Sequence, residues 1–533
     1  MRQSSSQNTS PQDIPDSAQK NPQQAGGWWQ SLLAFKHPRV ITMLFYGFSA
    51  GIPLLLIFSS LSLWLREAGV ERSTVTYFSW AALAYSFKFL WAPLVDRMPL
   101  PLLTNWLGRR RAWLVVAQLA IMGAILLIAT VDPAQPESLT LMALAVVLLG
   151  FSAATQDIVI DAYRIESAGQ ELQALMSSTY IAGYRIGMLT SGAGALILAS
   201  HFGSSAEQYQ YQAWQYTYSC MALTMLVGMA TTFIIKEPEA KAPLHEYCST
   251  QYLRFLSIFV LSVLVFVGAY LASAEVVSNF KAALAVTFGN EVMANTLVEA
   301  GRLMFGFSLV VGFVWLVSYT PLYERNLVRE TYIDAVVDFF QRYGVRLAVL
   351  LLIFVGFYRI SDIVLGVISN VFFQDMGFSK TEIATVVKTF GLFMTILGGF
   401  LGGILAVRFG VIRILYLGAF LTVATNLLFM LLAQSGHNIE LLYLVISADN
   451  LTAGLASAAF VAFLSKLTNI SFTAVQYAIF SSLMTLLPKM IGGYSGSMVD
   501  NLGYSNFFLI ASLMGVPVLG LIYLIQRHAE FKR

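Results

Sequence analysis

Two carboxylates sit one helical turn apart in FSAATQDIVIDAYRIE: Asp157 and Asp161, with Arg164 three residues further on. Residues i and i+4 of a helix share one face, so both acids and the guanidinium project to the same side. The run feeding into them, LTLMALAVVLLGF, has no charge, which puts the pair at the end of a membrane-spanning segment. A carboxylate there costs roughly 2.5–3.5 kcal/mol on insertion scales and usually marks a pathway or a proton relay. Asp157 lies deeper and has no obvious local partner. It is the expected principal proton-coupling residue, with Asp161 assisting or gating.

Further charges fall inside apolar runs: Lys88, Arg185, Arg359, Asp362, Lys388, Asp449 and Lys489. Together they describe a wet, slightly cationic cavity. Simpler readings stand beside this one. Asp161 with Arg164 would serve as a latch if it paired with Arg109 or Arg110. Arg359 and Asp362, at i and i+3, fit a local ion pair. The glycines Gly183, Gly187, Gly398, Gly399, Gly402 and Gly403 fit close helix packing better than substrate contact. Other chemistries find no support. There is no P-loop pattern, no nucleophile elbow or zincin helix, and the five histidines fall in loops or at segment edges. Cys220 and Cys248 offer neither a disulfide framework nor metal-ligand spacing. No cofactor or metal is expected, and the basic residues sit where topology needs them, against a nucleic-acid partner.

The elements that position these groups follow from composition. Of 533 residues, 57% are hydrophobic and only 11% charged, whereas soluble domains run near a quarter charged. Apolar runs long enough to span about 30 Å of hydrocarbon fall near 40–64, 74–95, 112–131, 139–162, 174–200, 214–235, 252–274, 302–320, 346–373, 382–407, 411–433, 440–464, 473–496 and 505–525. The fold class expected is an all-α integral membrane protein of fourteen spans. Residues 1–27, rich in Gln, Ser, Asn, Pro and Gly, read as a disordered leader without a signal-peptide core. A short interfacial helix follows, with Trp28, Trp29, Leu32, Leu33 and Phe35 ahead of a basic cluster. With the N-terminus inside, only Arg66, Arg72, Lys281, Arg302 and Lys380 fall in outer loops. That positive-inside bias places both termini in the cytoplasm.

An internal repeat divides the chain. Ser177-Ser178, Arg185 and Ser191-Gly192 recur as Ser481-Ser482, Lys489 and Ser495-Gly496, at an offset of 304. The same offset carries Gly150 onto Gly454, Asp157 onto Val461 and Asp161 onto Ser465. The scaffold is duplicated while the acid pair belongs to the first half alone. The expected layout is a six-helix bundle over 28–236, a linker with two extra spans over 237–345, a second six-helix bundle over 346–526 and a tail over 527–533. Within the linker, RETYIDAVVDFFQRY has Ile333, Val336, Val337 and Phe340 at helical spacing, an amphipathic surface helix. The extra spans are expected to contribute little to the cavity wall. The loops APLVDR…GRRR and GILAVRFG…Arg413 resemble the G-x-x-x-D-R/K-x-G-R-R/K pattern of the major facilitator superfamily in part, with Ala92 for the first glycine and Val407 for the second acid. Asp96, Arg109, Arg110, Arg111, Arg164 and Arg408 are accordingly expected to form a cytoplasmic gate.

YSFKFLWAPLVDR, GRRRAWLVVAQ, SAATQDIVIDAYR and GYRIGMLTSGAGAL, with YRISDI, VVKTFGL and SAAFVAFL later in the chain, resemble the anhydromuropeptide permeases (AmpG type) of Gram-negative bacteria over roughly 40–525. The resemblance implies a major facilitator fold of two six-helix bundles plus two extra helices. It implies an inner-membrane, proton-coupled symporter of N-acetylglucosaminyl-1,6-anhydro-N-acetylmuramyl peptides, serving cell-wall recycling and, in species that have it, β-lactamase induction. The partners expected are that substrate, protons and membrane lipid, with the protein a monomer. Lys88, Arg185, Arg359, Lys388 and Lys489 would answer the substrate's carboxylates. Tyr184 and Tyr358 would stack on sugar rings, and Gln156, Asp362, Asp449 and Asn450 complete the expected binding set. Two alternatives stay open: a carrier of another bulky anion, such as acetyl-coenzyme A, and a membrane enzyme using Asp157 and Asp161 as catalytic acids.

Overall fold

The computed structural model describes residues 33–70, 78, 83–205, 208–238, 247–288, 291–321, 323–379, 382–492 and 495–528. The leader, much of the interfacial helix, residues 74–77 and 79–82 of the second expected span and the last five residues lie outside them. Among the described residues every regular element is helical. The first half runs through α1 (Pro38–Glu67), α2 (Leu83–Phe87), α3 (Ala92–Arg97), α4 (Arg109–Ala129), α5 (Leu139–Ser167), α6 (Gln170–His201) and α7 (Tyr211–Ile234). Then come α8 (Ser249–Ala272), α9 (Ala274–Phe288) and α10 (Glu291–Val317). The second half comprises α11 (Asp334–Phe357), α12 (Ile360–Asp375), α13 (Ile383–Phe409), α14 (Val411–Ser435), α15 (Ile439–Leu467), α16 (Thr473–Gly492) and α17 (Ser495–Gln526). Twelve described helices are long and apolar enough to cross a membrane, and Met304–Val317 is a shorter apolar one.

The duplication is visible in the helices themselves. A 29-residue α5 leads into a helix beginning at Gln170, and a 29-residue α15 leads into one beginning at Thr473. The helices before them start alike. Gly108 (φ 88°) caps α4 and Gly410 (φ 89°) caps α14, left-handed positions that glycine occupies without steric penalty. Both are the last glycine of their loop pattern. We call the side carrying Arg109–Arg111 the basic end and the opposite side the far end.

Each half is held by close helix approach. A Cβ on Gly47 or Gly51 of α1 would meet the Tyr180 or Tyr184 carbonyl oxygen of α6 at 2.1 Å; one on Gly183 would meet Leu44 O at 1.9 Å. In the second half Gly398, Gly402 and Gly454 do the same between α13 and α15. Small residues let backbones approach where lipid supplies no hydrophobic drive between helices. The halves touch each other through α6 against α13 and α15, and through α16 against α2, α3 and α5. Gly403 lies against Ser178, where an added Cβ would come within 2.1 Å of Oγ. Both residues are near the basic ends of their helices, so that end is shut. The far segments Thr190–Gly194 and Ile383–Phe390, both π-helical, pack within their own halves.

The two extra spans stand to one side. Helices α8 and α10 pack on each other and on α9, and of α8 only Phe255 and Ile258 are buried among the described residues. Phe307 leans on Phe87 of α2, with ring centroids 5.7 Å apart, and Arg254 ties α8 to Glu324 at 2.8 Å. The linker helix is present, but its buried side is not the expected stripe. Ala335 and Phe339 are buried, while Ile333, Val336 and Val337 are exposed. The reason is the break at Gly344 (φ 69°): it frees the helix from the span after it, so Phe339 turns onto Phe480 of α16 and the aliphatic stripe faces outward.

Candidate functional site

Two of the candidate cations sit where a membrane helix is interrupted. The second span stops at Phe87, passes through a 3-10 turn over Lys88–Leu90, and resumes at Ala92. The helix α11 ends at Phe357, and α12 restarts after Arg359, whose φ of −103° and ψ of 12° are not helical. Broken helices at mid-membrane free backbone polar groups and are tolerated where they line a cavity or a site.

The acid pair faces the first break. Lys88 Nζ lies 3.6 Å from Asp161 Oδ2, and Arg164 Nη2 lies 3.2 Å from Asp161 Oδ1. Asp161 is thus held between two cations. The Asp157 carboxylate is buried, accepts from the Tyr180 hydroxyl at 3.4 Å, and has no cation within ion-pair distance among the described residues. The buried Tyr85 hydroxyl, within electrostatic reach of Asp157, makes no hydrogen bond among the described residues. Gln156 points elsewhere. It is fully buried, and its carbonyl accepts from Ser49 of α1 at 3.2 Å, tying α5 to α1.

Below Asp161 the two halves are laced together. Arg164, fully buried, donates to Ser465 of α15 at 2.8 Å and to Ser177 at 3.1 Å, and its guanidinium lies 5.1 Å from the Tyr477 ring centroid of α16. At the basic end Arg110 binds Asp96 at 2.6 Å and Glu166 at 2.5 Å, and donates to Thr473 of α16 at 3.0 Å; Thr473 in turn donates to Glu166. Arg109 donates to the Asp96 carbonyl at 2.9 Å. Arg111 caps the end of α7 through the Thr232 and Phe233 carbonyls at 2.9 and 3.1 Å. The latch reading of Asp161 is corrected here: the loop arginines take Asp96 and Glu166, leaving Asp161 to Lys88 and Arg164. Arg408 lies over its neighbour Phe409, 5.7 Å from the ring centroid. Glu237, just past α7, accepts from the Arg110 and Arg111 amides at 2.7 and 3.0 Å and so caps α4. Burial pushes its carboxyl above the usual range against the pull of those two amides.

The second half carries its own cluster. Arg359, at the break, pairs with Asp362 in the first turn of α12. Asp449 of α15 accepts from Thr425 at 3.5 Å and is in electrostatic reach of both. Asn450 accepts from Thr395 at 2.9 Å. From the first half, Arg185 is in electrostatic reach of Arg359 and Asp362, and half-buried Tyr184 lies beside Tyr180. Lys388 is exposed and donates to Asn370 of α12 at 2.8 Å; Lys489 is exposed too. Tyr358 is a correction. Its ring stacks on Phe460 at 4.3 Å and its hydroxyl donates to Leu415 O at 3.1 Å, so it belongs to the core of the second half and offers no face to a sugar.

Glu166, Glu237, Thr473, Tyr85, Tyr180 and Tyr477 were not among the sequence candidates. The spacing of Tyr180 and Tyr184, one turn apart and just ahead of Arg185, was the one available signal. Two duplicated helical halves, shut at one end around charges at broken helices, define a multi-pass membrane transporter. Residues 40–363 match the Major Facilitator Superfamily. The putative transporter AmpG 4 of Rickettsia conorii is 30% identical over 91% of this chain and 96% of its own. The anhydromuropeptide permease of Escherichia coli K12 is 28% identical over 95% and 83%. Among solved structures, the proton:xylose symporter XylE superposes with a TM-score of 0.55 at 13% identity, covering 93% of this chain and 96% of that one. The chain belongs to the major facilitator superfamily, among its AmpG-type members. It is a secondary transporter rather than an enzyme.

Proposed function

We propose that the protein imports N-acetylglucosaminyl-1,6-anhydro-N-acetylmuramyl peptides across the bacterial inner membrane by proton-coupled symport. The basic end faces the cytoplasm, as the positive-inside bias indicates, and the far end opens to the periplasm. The halves, 28–236 and 346–526, rock about the cleft, and the protein works as a monomer. The observation that carries the coupling is the contrast between the acids: Asp161 is held by Lys88 and Arg164, while Asp157, within electrostatic reach of Lys88, accepts from the Tyr180 hydroxyl and has no ion-pair partner among the described residues. An acid without a counter-ion in an apolar setting can take up and release a proton without breaking an ion pair. Asp157 is therefore the coupling residue, and Asp161 reports its state to the gate through Arg164. Asp96, Arg109, Arg110, Glu166 and Thr473 hold the cytoplasmic door. The substrate class follows the names of the relatives and a cleft with cations on both halves. Uptake of labelled anhydromuropeptide into proteoliposomes, with and without an imposed pH gradient, tests this. Accumulation only with the outside acidic supports it; gradient-independent equilibration or no uptake contradicts it.

A further inference from the structure

The break in the second span leaves a backbone carbonyl without a helical partner. Leu90 closes the 3-10 turn that carries Lys88. The residues three and four further on do not serve its carbonyl: Pro93 has no N–H, and Leu94 N donates to Trp91 O at 3.0 Å. A carbonyl freed in this way needs another donor, or it destabilises the turn. The donor comes from the linker between the halves. Tyr332 Oη donates to Leu90 O at 2.8 Å. Its ring leans on Phe255, with centroids 6.1 Å apart, and Phe255 is one of the two buried side chains of α8 among the described residues. Glu324, ahead of the linker helix, is held to α8 by Arg254 at 2.8 Å and Gln251 at 3.3 Å. The extra span thus packs behind the residue that braces the Lys88 turn.

The same linker grips the second half. Tyr332 lies in a π-helical turn, Arg329–Ile333, that runs straight into α11. Further along, Asp338 accepts from Asn469 at 2.8 Å and from Gln476 of α16 at 2.9 Å. Arg342, paired with Asp338 at 2.9 Å, donates to Leu467 O at 3.1 Å and to Gln476 at 3.0 Å. We propose that Tyr332 is a positioning residue that holds the turn presenting Lys88 to Asp161, and that the linker carries the position of α16 to that turn. The proposal rests on the transport reading above and deepens it. With the basic end shut both grips are made, and Lys88 is kept 3.6 Å from Asp161. Helix α16 packs on α2, α3 and α5 across the closed interface, so opening the basic end parts it from the turn. The linker cannot follow both. Its bonds to the second half involve charged groups, about twice as strong as a neutral hydroxyl–carbonyl bond, so it leaves with α16 and Tyr332 releases Leu90. The turn then relaxes and Lys88 is free to leave Asp161, so the partner of that acid changes with the gate.

Hydrogen–deuterium exchange on the full chain in detergent micelles, read by mass spectrometry, tests the brace without transport. Tyr332→Phe keeps the ring and removes the donor. It should speed exchange of the amides over 88–95 about threefold or more, the scale of one neutral hydrogen bond, and leave 334–343 at the wild-type rate. Asp338→Ala, which frees the linker from Asn469 and Gln476, should speed both segments. Unchanged exchange over 88–95 in Tyr332→Phe overturns the brace, and so does an equal rise over both segments, the mark of a merely structural role. A rise confined to 334–343 in Asp338→Ala overturns the link to the second half. In proteoliposomes with labelled anhydromuropeptide, Tyr332→Phe should lower pH-gradient-driven accumulation about threefold or more, while counterflow exchange holds near wild type. An equal loss of both, or of neither, overturns the positioning role. A wild type that shows the predicted deuterium pattern against Tyr332→Phe but accumulates no substrate overturns the transport reading and leaves the brace standing.

Discussion

Arg164 Nη1 donates to Ser465 Oγ at 2.8 Å, and Ser465 is the residue that the internal repeat sets against Asp161. The first half carries the acid and its arginine; the second carries, in the matching place, the neutral acceptor that receives the arginine. One guanidinium thereby binds Asp161 and bridges the halves.

Ser465→Ala should loosen that bridge. A hydrogen bond to a charged group contributes about 1.5–3 kcal/mol, enough to raise the population open at the basic end by roughly tenfold or more. A Ser178→Cys reporter, on a background with Cys220 and Cys248 replaced by serine, lies against Gly403 at the closed interface. A thiol reagent supplied on the basic side should label it faster when Ser465→Ala is added. An unchanged rate would remove Ser465 from the gate.

The knot at Arg110 predicts an order of severity. Asp96→Asn leaves Glu166 on Arg110 and should lower transport several-fold with near-normal yield. Arg110→Ala leaves Asp96 and Glu166 without that charge; breaking one side of a buried pair costs about 3–5 kcal/mol. Initial uptake rates, corrected for protein in the membrane, should fall further for Arg110→Ala than for Asp96→Asn. The reverse order would mean the two acids do not share the arginine.

Glycine contacts separate packing from propensity. Gly183→Ala would drive a methyl into the Leu44 carbonyl and should destabilise the first half by about 1–3 kcal/mol, the range for overpacking. Gly123→Ala, where an added Cβ meets nothing within 4 Å, should be neutral or stabilising by about 0.5–1 kcal/mol. Thermal unfolding in detergent should show the first lowered and the second not.

The acid pair was legible because a charge inside an apolar run is improbable by composition. Its partner Lys88 was legible for the same reason. What the sequence did not carry is mostly tertiary. Glu166 reads as a solvated helix end until Arg110 arrives from another helix, and Ser465 and Thr473 gain meaning only when the halves meet. Tyr358 was assigned to the cavity by its neighbour Arg359, yet the break between α11 and α12 turns the two side chains apart. Pro93, lacking an amide donor, marks the first break, whereas YRIS contains no such residue and the second break was silent. The extra spans were placed by hydropathy, which locates a helix but not its neighbours.

Asp157 is proposed to carry the coupling proton. Asp157→Asn keeps the side chain's shape and removes its ability to ionise. The deciding measurement is pH-gradient-driven accumulation of labelled anhydromuropeptide in proteoliposomes, run beside counterflow exchange in the same vesicles. Asp157→Asn should abolish accumulation while retaining exchange, which needs no net proton movement, and Asp161→Asn should be milder or fail by freeing Arg164 and Lys88. Accumulation against the gradient by Asp157→Asn, with wild-type pH dependence, would contradict it.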